Sequence, residues 1–403
     1  MSQKPLQGIR VLDLSRVLAG PWCAQQLADL GAEVIKIERP GRGDDTRAWG
    51  PPWLEGSQEA AYYLCANRGK SSVAIDIARP EGQQLVKQLL QDCDVLLENF
   101  KVGGLKHYGL DYDSLKTDKP DLIYCSITGF GQDGPYAQRA GYDFMIQGIG
   151  GLMSLTGQPD GEPGGGPVKV GVAFTDIFTG MYAANAIMAA LFARQQSGTG
   201  THIDLALLDV QVAVLANQAM NYLCSGQVPT RLGNAHPNIV PYQAFATRDG
   251  HLILAVGNDA QFGRFCDTAG CQALATDPRF ASNQARVTHR DSLILLLQPL
   301  LATRCTADWL AALDAAGVPC GPINNLQQVF DDPQVKHRGL QFNLSHPAGS
   351  VPMVANPIRF DGQALNASSA PPSLGQHTDR VLQQQLGLSA ADCQRLRAQG
   401  VIA

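Results

Sequence analysis

Hydrophobic and polar positions along the first 130 residues alternate between two patterns. Short apolar runs rich in β-branched residues are typical of buried parallel strands, and they cover 8–14, 32–38, 94–100 and 121–128. Helix formers occupy 21–30, which ends before Gly31, and 80–91, which begins at Pro80. This strand–helix–strand repetition predicts an α/β fold with a doubly wound, Rossmann-like sheet.

The carboxyl ends of the predicted strands mark where a ligand should bind, because open α/β sheets hold ligands beyond those ends. The segments that follow the strands are 15–20, 39–50, 100–109 and 129–142. We therefore expect the binding residues to come from these segments.

The rest of the chain changes character after about residue 225. A glycine-rich loop at 157–171 precedes a long helix at 175–194, and two β runs at 242–256 flank the turn signal Arg248-Asp249-Gly250. Helical patterns follow at 259–269, 290–316 and 378–398. The predicted organisation is a large Rossmann-like domain (1–200), a linker helix (201–225), a small α+β domain (226–330) and a C-terminal segment that returns to the large domain (331–403).

Composition excludes some classes of function. The formal net charge of −5 argues against a nucleic-acid partner, and the ten cysteines form no C-x-x-C pair. Reduced thiols in a cytosol fit this usage better than disulfides or zinc. Neither a metal-ligand spacing nor a phosphate-binding loop is present, and the segment after the first strand lacks the dinucleotide-binding glycines.

The N-terminus has no apolar signal-peptide core, and no uninterrupted apolar run reaches the roughly 20 residues of a membrane span. The longest candidate, 181–193, contains Tyr182 and Asn185 and is interpreted as a buried helix. We expect a cytoplasmic protein without a membrane partner, or a mitochondrial-matrix protein if the source is eukaryotic.

Two polar segments after strand ends are candidates for ligand contacts. The loop from Arg39 to Arg47 carries three arginines among glycines, which suits phosphate or carboxylate binding and equally suits a solvated loop with self-compensating charges. Asn99 and Phe100 suit a hydrogen bond and base stacking, but residue types alone favour a turn and a core aromatic.

Asp176 stands between the glycine-rich loop and the long apolar helix. Its position favours a helix N-cap. The alternative is a nucleophilic carboxylate, since Asp with a pKa of about 3.9 is ionised at neutral pH and needs no separate base. Residue chemistry leaves both interpretations open.

Several phrases resemble the class III (CaiB/BaiF) CoA-transferases. They include Gly8-Ile-Arg-Val-Leu-Asp-Leu-Ser-Arg-Val-Leu-Ala-Gly-Pro, Gly43-Asp-Asp-Thr-Arg, Ser126-Ile-Thr-Gly-Phe-Gly-Gln-Asp-Gly-Pro and Gly321-Pro-Ile-Asn-Asn. The similarity extends from near residue 6 to the C-terminus. It implies the family III fold, an interlocked homodimer, and coenzyme A thioesters as substrates with no tightly bound cofactor.

The resemblance also implies residue roles. Asp176 takes the place of the family's nucleophile, which forms aspartyl anhydride and aspartyl-CoA intermediates. The implied CoA contacts are Arg16, Val17, Leu18, Ala19, Arg39, Ile75, Asn99, Phe100, Lys106 and His107. The related 2-methylacyl-CoA racemases pair the aspartate with a His, and this chain has Tyr142 there, a poor base at neutral pH.

Within the family, the pattern is closest to transferases that act on succinyl-CoA and glutarate. This implies a short dicarboxylic acid such as glutarate, itaconate or mesaconate as acceptor. Its distal carboxylate requires a cation, for which Arg47, Arg68 and Arg139 are candidates, with Tyr142 beside the substrate. Leu18 stands where formyl-CoA transferases have Gln, which argues against a formyl-CoA/oxalate pair.

Overall fold

The structure is a computed structural model that describes residues 4–403 in two compact units. The first unit contains the described part of Met1–Gly151 together with Val170–Ala219 and Pro333–Ala403. The second contains Leu152–Lys169 and Met220–Asp332.

A six-stranded parallel sheet forms the centre of the first unit. Its strands are β1 (Arg10–Asp13), β2 (Glu33–Glu38), β3 (Lys70–Ala74), β4 (Val95–Glu98), β5 (Ile123–Thr128) and β6 (Thr201–Ala206). The strand order is β3-β2-β1-β4-β5-β6, and every neighbouring pair is parallel. The predicted α/β class with a Rossmann-like sheet is confirmed.

Helices cover both faces of this sheet because successive strand residues point to opposite sides. Leu12 faces the core that helices Pro80–Gln91 and Thr378–Leu386 complete, whereas its neighbour Val11 faces the core that helices Ala19–Asp29 and Phe174–Ser197 complete. The helices up to residue 225 are α1 (Ala19–Asp29), α2 (Ala61–Leu64), α3 (Pro80–Gln91), α4 (Tyr112–Leu115), α5 (Asp143–Ile149), α6 (Leu152–Leu155), α7 (Phe174–Ser197), α8 (Leu207–Ala213) and α9 (Ala216–Ser225).

The second unit contains an antiparallel sheet of β7 (Tyr242–Ala246), β8 (His251–Ala255) and β9 (Cys320–Pro322), so the predicted hairpin is confirmed. Its core includes Phe262, Phe265 and Trp309. Its helices are α10 (Asp259–Ala269), α11 (Gln272–Thr276), α12 (Asn283–Thr288), α13 (Arg290–Leu301), α14 (Thr306–Ala315) and α15 (Leu326–Asp331). The helical pattern predicted over 290–316 corresponds to two helices, α13 and α14, which meet at 113°.

The C-terminal segment consists of α16 (Pro333–His337), β10 (Gln341–His346), β11 (Gly349–Val354), β12 (Arg359–Phe360), β13 (Gln363–Ala364), α17 (Thr378–Leu386) and α18 (Ala390–Ala398). It belongs to the first unit, and the backbone of Asp76 bonds to Val401.

The linker helix expected at 201–225 is wrong. This segment supplies β6, the sixth strand of the main sheet, followed by α8 and α9. The residues of β6 pair with β5 along its whole length, from Ile123 with Thr201 to Thr128 with Ala206.

The long helix predicted at 175–194 is confirmed as α7, which also contains the apolar run at 181–193. By length and composition alone, this 24-residue helix could cross a bilayer. The core helices of globular domains meet the same two criteria. Ala183, Ala184 and Ile187 are buried in the core shared with α1.

Candidate active site

The strand order places the site at a topological switch point. The chain leaves β1 towards β2 on one side and returns to β4 on the other, so a crevice opens at the carboxyl ends of β1 and β4. Arg16 follows β1, and Asn99 follows β4. The Asn99 side chain bridges the two ends, since its Oδ1 accepts from the Arg16 N–H at 2.8 Å and its Nδ2 donates to the Arg16 carbonyl at 2.7 Å.

A cavity of about 190 Å³ opens beside this bridge, and we call it the Asp176 cavity. Its lining includes most of the site residues expected from the sequence: Arg16, Val17, Leu18, Ala19, Asn99, Phe100, Arg139, Tyr142 and Asp176. The fold thus brings together residues that are up to 160 positions apart in sequence, as Arg16 and Asp176 are.

A second cavity of about 300 Å³ adjoins the first, and we call it the arginine cavity. The two share Arg16, Asp45 and Phe100, and the Arg16 guanidinium lies 5.5 Å from the centre of the Phe100 ring. The arginine cavity is also lined by Arg39, Arg42 and Ile75. Its exposed cations suit phosphate groups, and its apolar wall suits a base or a pantetheine arm.

Asp176 lies in the first turn of α7, but it does not cap the helix. The N-cap is Ala173, which makes no side-chain capping bond. Asp143 performs that role from a distance, because its Oδ1 accepts from the N–H groups of Thr175 at 2.8 Å and of Asp176 at 3.3 Å. The capping interpretation of Asp176 is therefore wrong, and its carboxylate is left to face the cavity.

Burial, and to a smaller extent the nearby Asp143 carboxylate, raises the pKa of Asp176 to about 7. The assumption that Asp176 is fully ionised at neutral pH is thus wrong. A carboxylate with a raised pKa is more basic and correspondingly more nucleophilic once it is ionised, which suits a covalent role.

Arg139 presents a cation to the same cavity. Its guanidinium lies over the rings of Tyr136, at 4.6 Å, and Phe130, at 5.2 Å. No carboxylate within residues 4–403 forms a salt bridge with it. Tyr142, 62% exposed, lines the cavity beside it.

The two other candidate cations lie elsewhere. Arg47 donates to both oxygens of Glu38, to Glu59 and to the Tyr63 hydroxyl. Arg68 forms a two-bond pair with Asp29. Neither arginine lines the Asp176 cavity, because a buried guanidinium has to be satisfied by buried acceptors and these acceptors lie away from it.

Lys106 and His107 also fall outside both cavities. They lie exposed on a short 3-10 turn, Lys106–Tyr108, and Tyr108 is the member of that turn that lines the arginine cavity. Sequence reasoning missed Tyr108 and the capping role of Asp143, whereas Arg42 belongs to the arginine loop that it offered as a candidate. The sequence offers no signal for that capping role beyond the place of Asp143 in the family phrase Gly141-Tyr142-Asp143.

No group of three or more His, Cys, Asp or Glu side chains among residues 4–403 is placed to hold a metal ion.

The chain belongs to CoA-transferase family III, whose family model matches residues 6–378. It is an enzyme of this class, and its substrates are CoA thioesters.

Within this family, the chain is similar to transferases with named substrates and to a protein of solved structure. The chain is 54% identical to the succinate–glutarate CoA-transferase of Agrobacterium fabrum over 94% of this chain and 95% of that protein. It is 44% identical to the succinyl-CoA:glutarate CoA-transferase of Mus musculus over 100% of this chain and 91% of that protein. A CAIB/BAIF family protein from Brucella suis has a similar solved structure, with a TM-score of 0.84, 52% identity, and coverage of 95% of this chain and 100% of that one.

Proposed function

We propose that the protein moves coenzyme A from succinyl-CoA to a short dicarboxylic acid of the glutarate type, with Asp176 as the covalent nucleophile. The observation that carries this proposal is the Asp176 cavity. An unengaged carboxylate with a raised pKa shares its lining with Arg16, Asn99 and Phe100, to which the resemblance assigns CoA contacts. The names of the two similar transferases supply the substrate class.

The proposed reaction conserves the thioester through a series of acyl exchanges. A carboxylate oxygen of Asp176 attacks the thioester carbon, the C–S bond breaks, and CoA leaves as a thiolate with a mixed anhydride behind it. The thiolate then attacks the aspartyl carbonyl and releases succinate, which leaves an aspartyl-CoA thioester. The acceptor carboxylate repeats these steps in reverse and regenerates the ionised Asp176.

We assign Arg139 to the distal carboxylate of the dicarboxylic acid. It is the candidate arginine that lines the Asp176 cavity, and the rings beneath it orient its guanidinium plane. The arginine cavity takes the phosphate-bearing end of CoA, with Arg39 and Arg42 at its rim and Phe100 at the junction.

The test is to trap the intermediate. Protein incubated with succinyl-CoA and quenched with hydroxylamine should carry a hydroxamate on Asp176, located by peptide mass spectrometry. Asp209→Asn, another carboxylate in the first turn of a helix, serves as the matched control and should still be labelled at Asp176. If Asp176→Ala retained the exchange activity, the proposal would be overturned.

The acceptor is identified by a panel of dicarboxylates of four to six carbons, with oxalate and a monocarboxylate of matched length as controls. Loss of discrimination against the monocarboxylate in Arg139→Gln supports the role of that arginine. Deuterium incorporation at the α-carbon of a 2-methylacyl-CoA would instead indicate racemisation.

We further propose a homodimer located in the cytoplasm, or in the mitochondrial matrix of a eukaryotic source. Uncovered apolar side chains on α7 support an interface within the first unit; Met181, Tyr182 and Phe192 are 48%, 42% and 66% exposed. All ten cysteines are free, which fits a reducing compartment. Sedimentation velocity tests the dimer.

A further inference from the structure

The segment Ser15–Leu18, between β1 and α1, has an unusual backbone. Val17 has φ = 71°, in the left-handed region that β-branched residues avoid. Such a conformation persists only where the surroundings determine it, and it is found preferentially at functional sites. Val17, Arg16 and Leu18 all line the Asp176 cavity.

Side chains from three other elements hold this segment by its backbone groups. Asn99 binds the N–H and the carbonyl of Arg16. The Oδ1 of Asp44 accepts from the Val17 N–H at 3.2 Å. Nζ of Lys36 donates to the Ser15 carbonyl at 2.7 Å and forms an ion pair with Asp44 at 2.9 Å.

The two charged side chains that hold this segment, Lys36 and Asp44, lie in the interior of the protein. The side chains of Lys36 and Asp44 are fully buried. Asp44 is itself fixed, because its N–H donates to Glu38 at 2.9 Å and its Oδ1 accepts from Thr46. A buried pair with these additional bonds has little freedom to move, so it supplies a rigid base beneath Val17.

We propose that Asn99 is a positioning residue which, together with Asp44 and Lys36, holds Val17 in its left-handed conformation and so fixes the wall of the cavity that faces Asp176. The inference rests on the proposed function, because it assigns this wall a part in the transfer reaction. It also assigns the Asn99 amide a structural role, since its Oδ1 and its Nδ2 each bond to the backbone of Arg16.

A double-mutant cycle on Val17 and Asn99 tests the proposal. Asn99→Ala removes the bridge, so Val17 relaxes away from φ > 0 and kcat/KM with succinyl-CoA falls by about 10- to 100-fold. Glycine adopts positive φ without strain, so nothing drives residue 17 away in the Val17→Gly/Asn99→Ala double variant. Its activity should exceed the product of the two single effects by about tenfold. Independent, multiplicative losses would overturn the proposal and indicate a direct contact of Asn99 with CoA.

A thermal readout separates this inference from the proposed function. Val17→Ala and Val17→Gly both remove the side chain, but only glycine relieves the backbone. We therefore expect Val17→Gly to have a Tm about 1–2 °C higher than Val17→Ala, the reverse of the usual order. If the Tm of Val17→Gly were at or below that of Val17→Ala, the inference that Val17 is held in a strained conformation would be overturned. An inactive wild type would overturn the succinyl-CoA assignment alone.

Discussion

Asp176 combines two properties that would be separate in an ordinary surface carboxylate. Burial and the Asp143 charge both disfavour its ionised form, so its pKa rises to about 7. The first turn of α7 places it against the cavity, while Asp143 takes over the capping of that helix. The carboxylate of Asp176 therefore faces the cavity, but it is partly protonated at neutral pH.

The pH dependence of the reaction should report this pKa. Only the ionised carboxylate attacks, so kcat/KM for the donor thioester should fall about tenfold per pH unit below about pH 7. Asp143→Asn keeps an acceptor for the helix N–H groups and removes the neighbouring charge, so it should move this limb to lower pH. Asp209→Asn should leave the limb in place. An unchanged limb in Asp143→Asn would contradict the electrostatic cause.

The same raised pKa predicts a stability difference. The folded-state pKa of about 7 exceeds the ordinary value of 3.8, so the folded protein binds the proton more tightly. Wild-type stability is thus lost as pH rises between about 4 and 7, and Asp176→Asn lacks this loss. The unfolding free energy of the variant relative to wild type should rise by about 2 kcal/mol between pH 5 and pH 8, allowing for partial solvent exposure.

Urea denaturation at the two pH values measures this difference. Asp209→Asn is the control, because its carboxylate is exposed and should give the same increment at both pH values. An increment for Asp176→Asn that is independent of pH would contradict the raised pKa.

At the scale of elements, close packing of α1 and α7 sets the position of Asp176. Gly180, one turn after Asp176, faces α1 so closely that a Cβ there would lie 2.6 Å from the Ala19 carbonyl oxygen and 3.1 Å from the Trp22 ring. Ala19 also lines the Asp176 cavity. The two helices therefore define both the core and one side of the site.

Gly180→Ala should separate these helices. We expect a loss of about 1–3 kcal/mol of stability from overpacking, together with reduced kcat, because Asp176 moves relative to Ala19. Gly263→Ala in α10 is the matched control, since a Cβ there meets nothing within 4 Å. The control should gain up to about 1 kcal/mol from helix propensity. Equal responses of the two variants in thermal unfolding would contradict the close contact.

Elements with continuous apolar runs were predictable from the sequence, and elements without them were not. β1, β2, β4 and β5 follow such runs. β3 was missed because its buried positions include Lys70 and Ser72, whose polar atoms are satisfied by Asp13, Asn67 and Glu38 from distant parts of the chain. Sequence periodicity cannot anticipate partners of that kind.

β6 was missed for a different reason. It is an edge strand with mixed exposure and polar residues such as Thr201 and Asp204, so it lacks the apolar signal of a central strand. The break between α13 and α14 depends on Asp249, whose carboxylate accepts from the Thr306 N–H at 2.8 Å and so supports a new helix start. This support for the start of α14 comes from a residue 57 positions earlier in the chain, so it forms only on folding.

At the scale of the molecule, the candidate site was predictable where it follows the family's motifs. Asp176, Arg16, Phe100 and their neighbours converge on one crevice. The choice among arginines was not predictable, because it depends on which carboxylates burial places beside each guanidinium. Arg47 and Arg68 are occupied by Glu38 and Asp29, whereas Arg139 is left facing the cavity.

Asp29 shows how the first unit is closed by the end of the chain. Its carboxylate pairs with Arg68 at 2.7 Å, accepts from the Ala367 N–H at 2.9 Å, and accepts from Asn356 at 3.1 Å. Arg68 also donates to the Val354 carbonyl at 2.9 Å. One buried ion pair thus joins α1 to a segment more than 300 residues later.

This arrangement predicts that Arg68 contributes to stability and not to substrate binding. Arg68→Ala leaves the Asp29 carboxylate buried with its charge uncompensated, so unfolding of the first unit should become easier by about 3–5 kcal/mol. Arg397→Ala, which breaks an exposed pair with Asp379, is the matched control and should cost less than about 1 kcal/mol. Denaturant unfolding followed by hydrogen exchange assigns each loss to its unit. At denaturant concentrations where Arg68→Ala is still folded, its KM for the dicarboxylic acid should equal that of the wild type. The same KM should be raised in Arg139→Gln. A raised KM in a stably folded Arg68→Ala protein would return Arg68 to the substrate site.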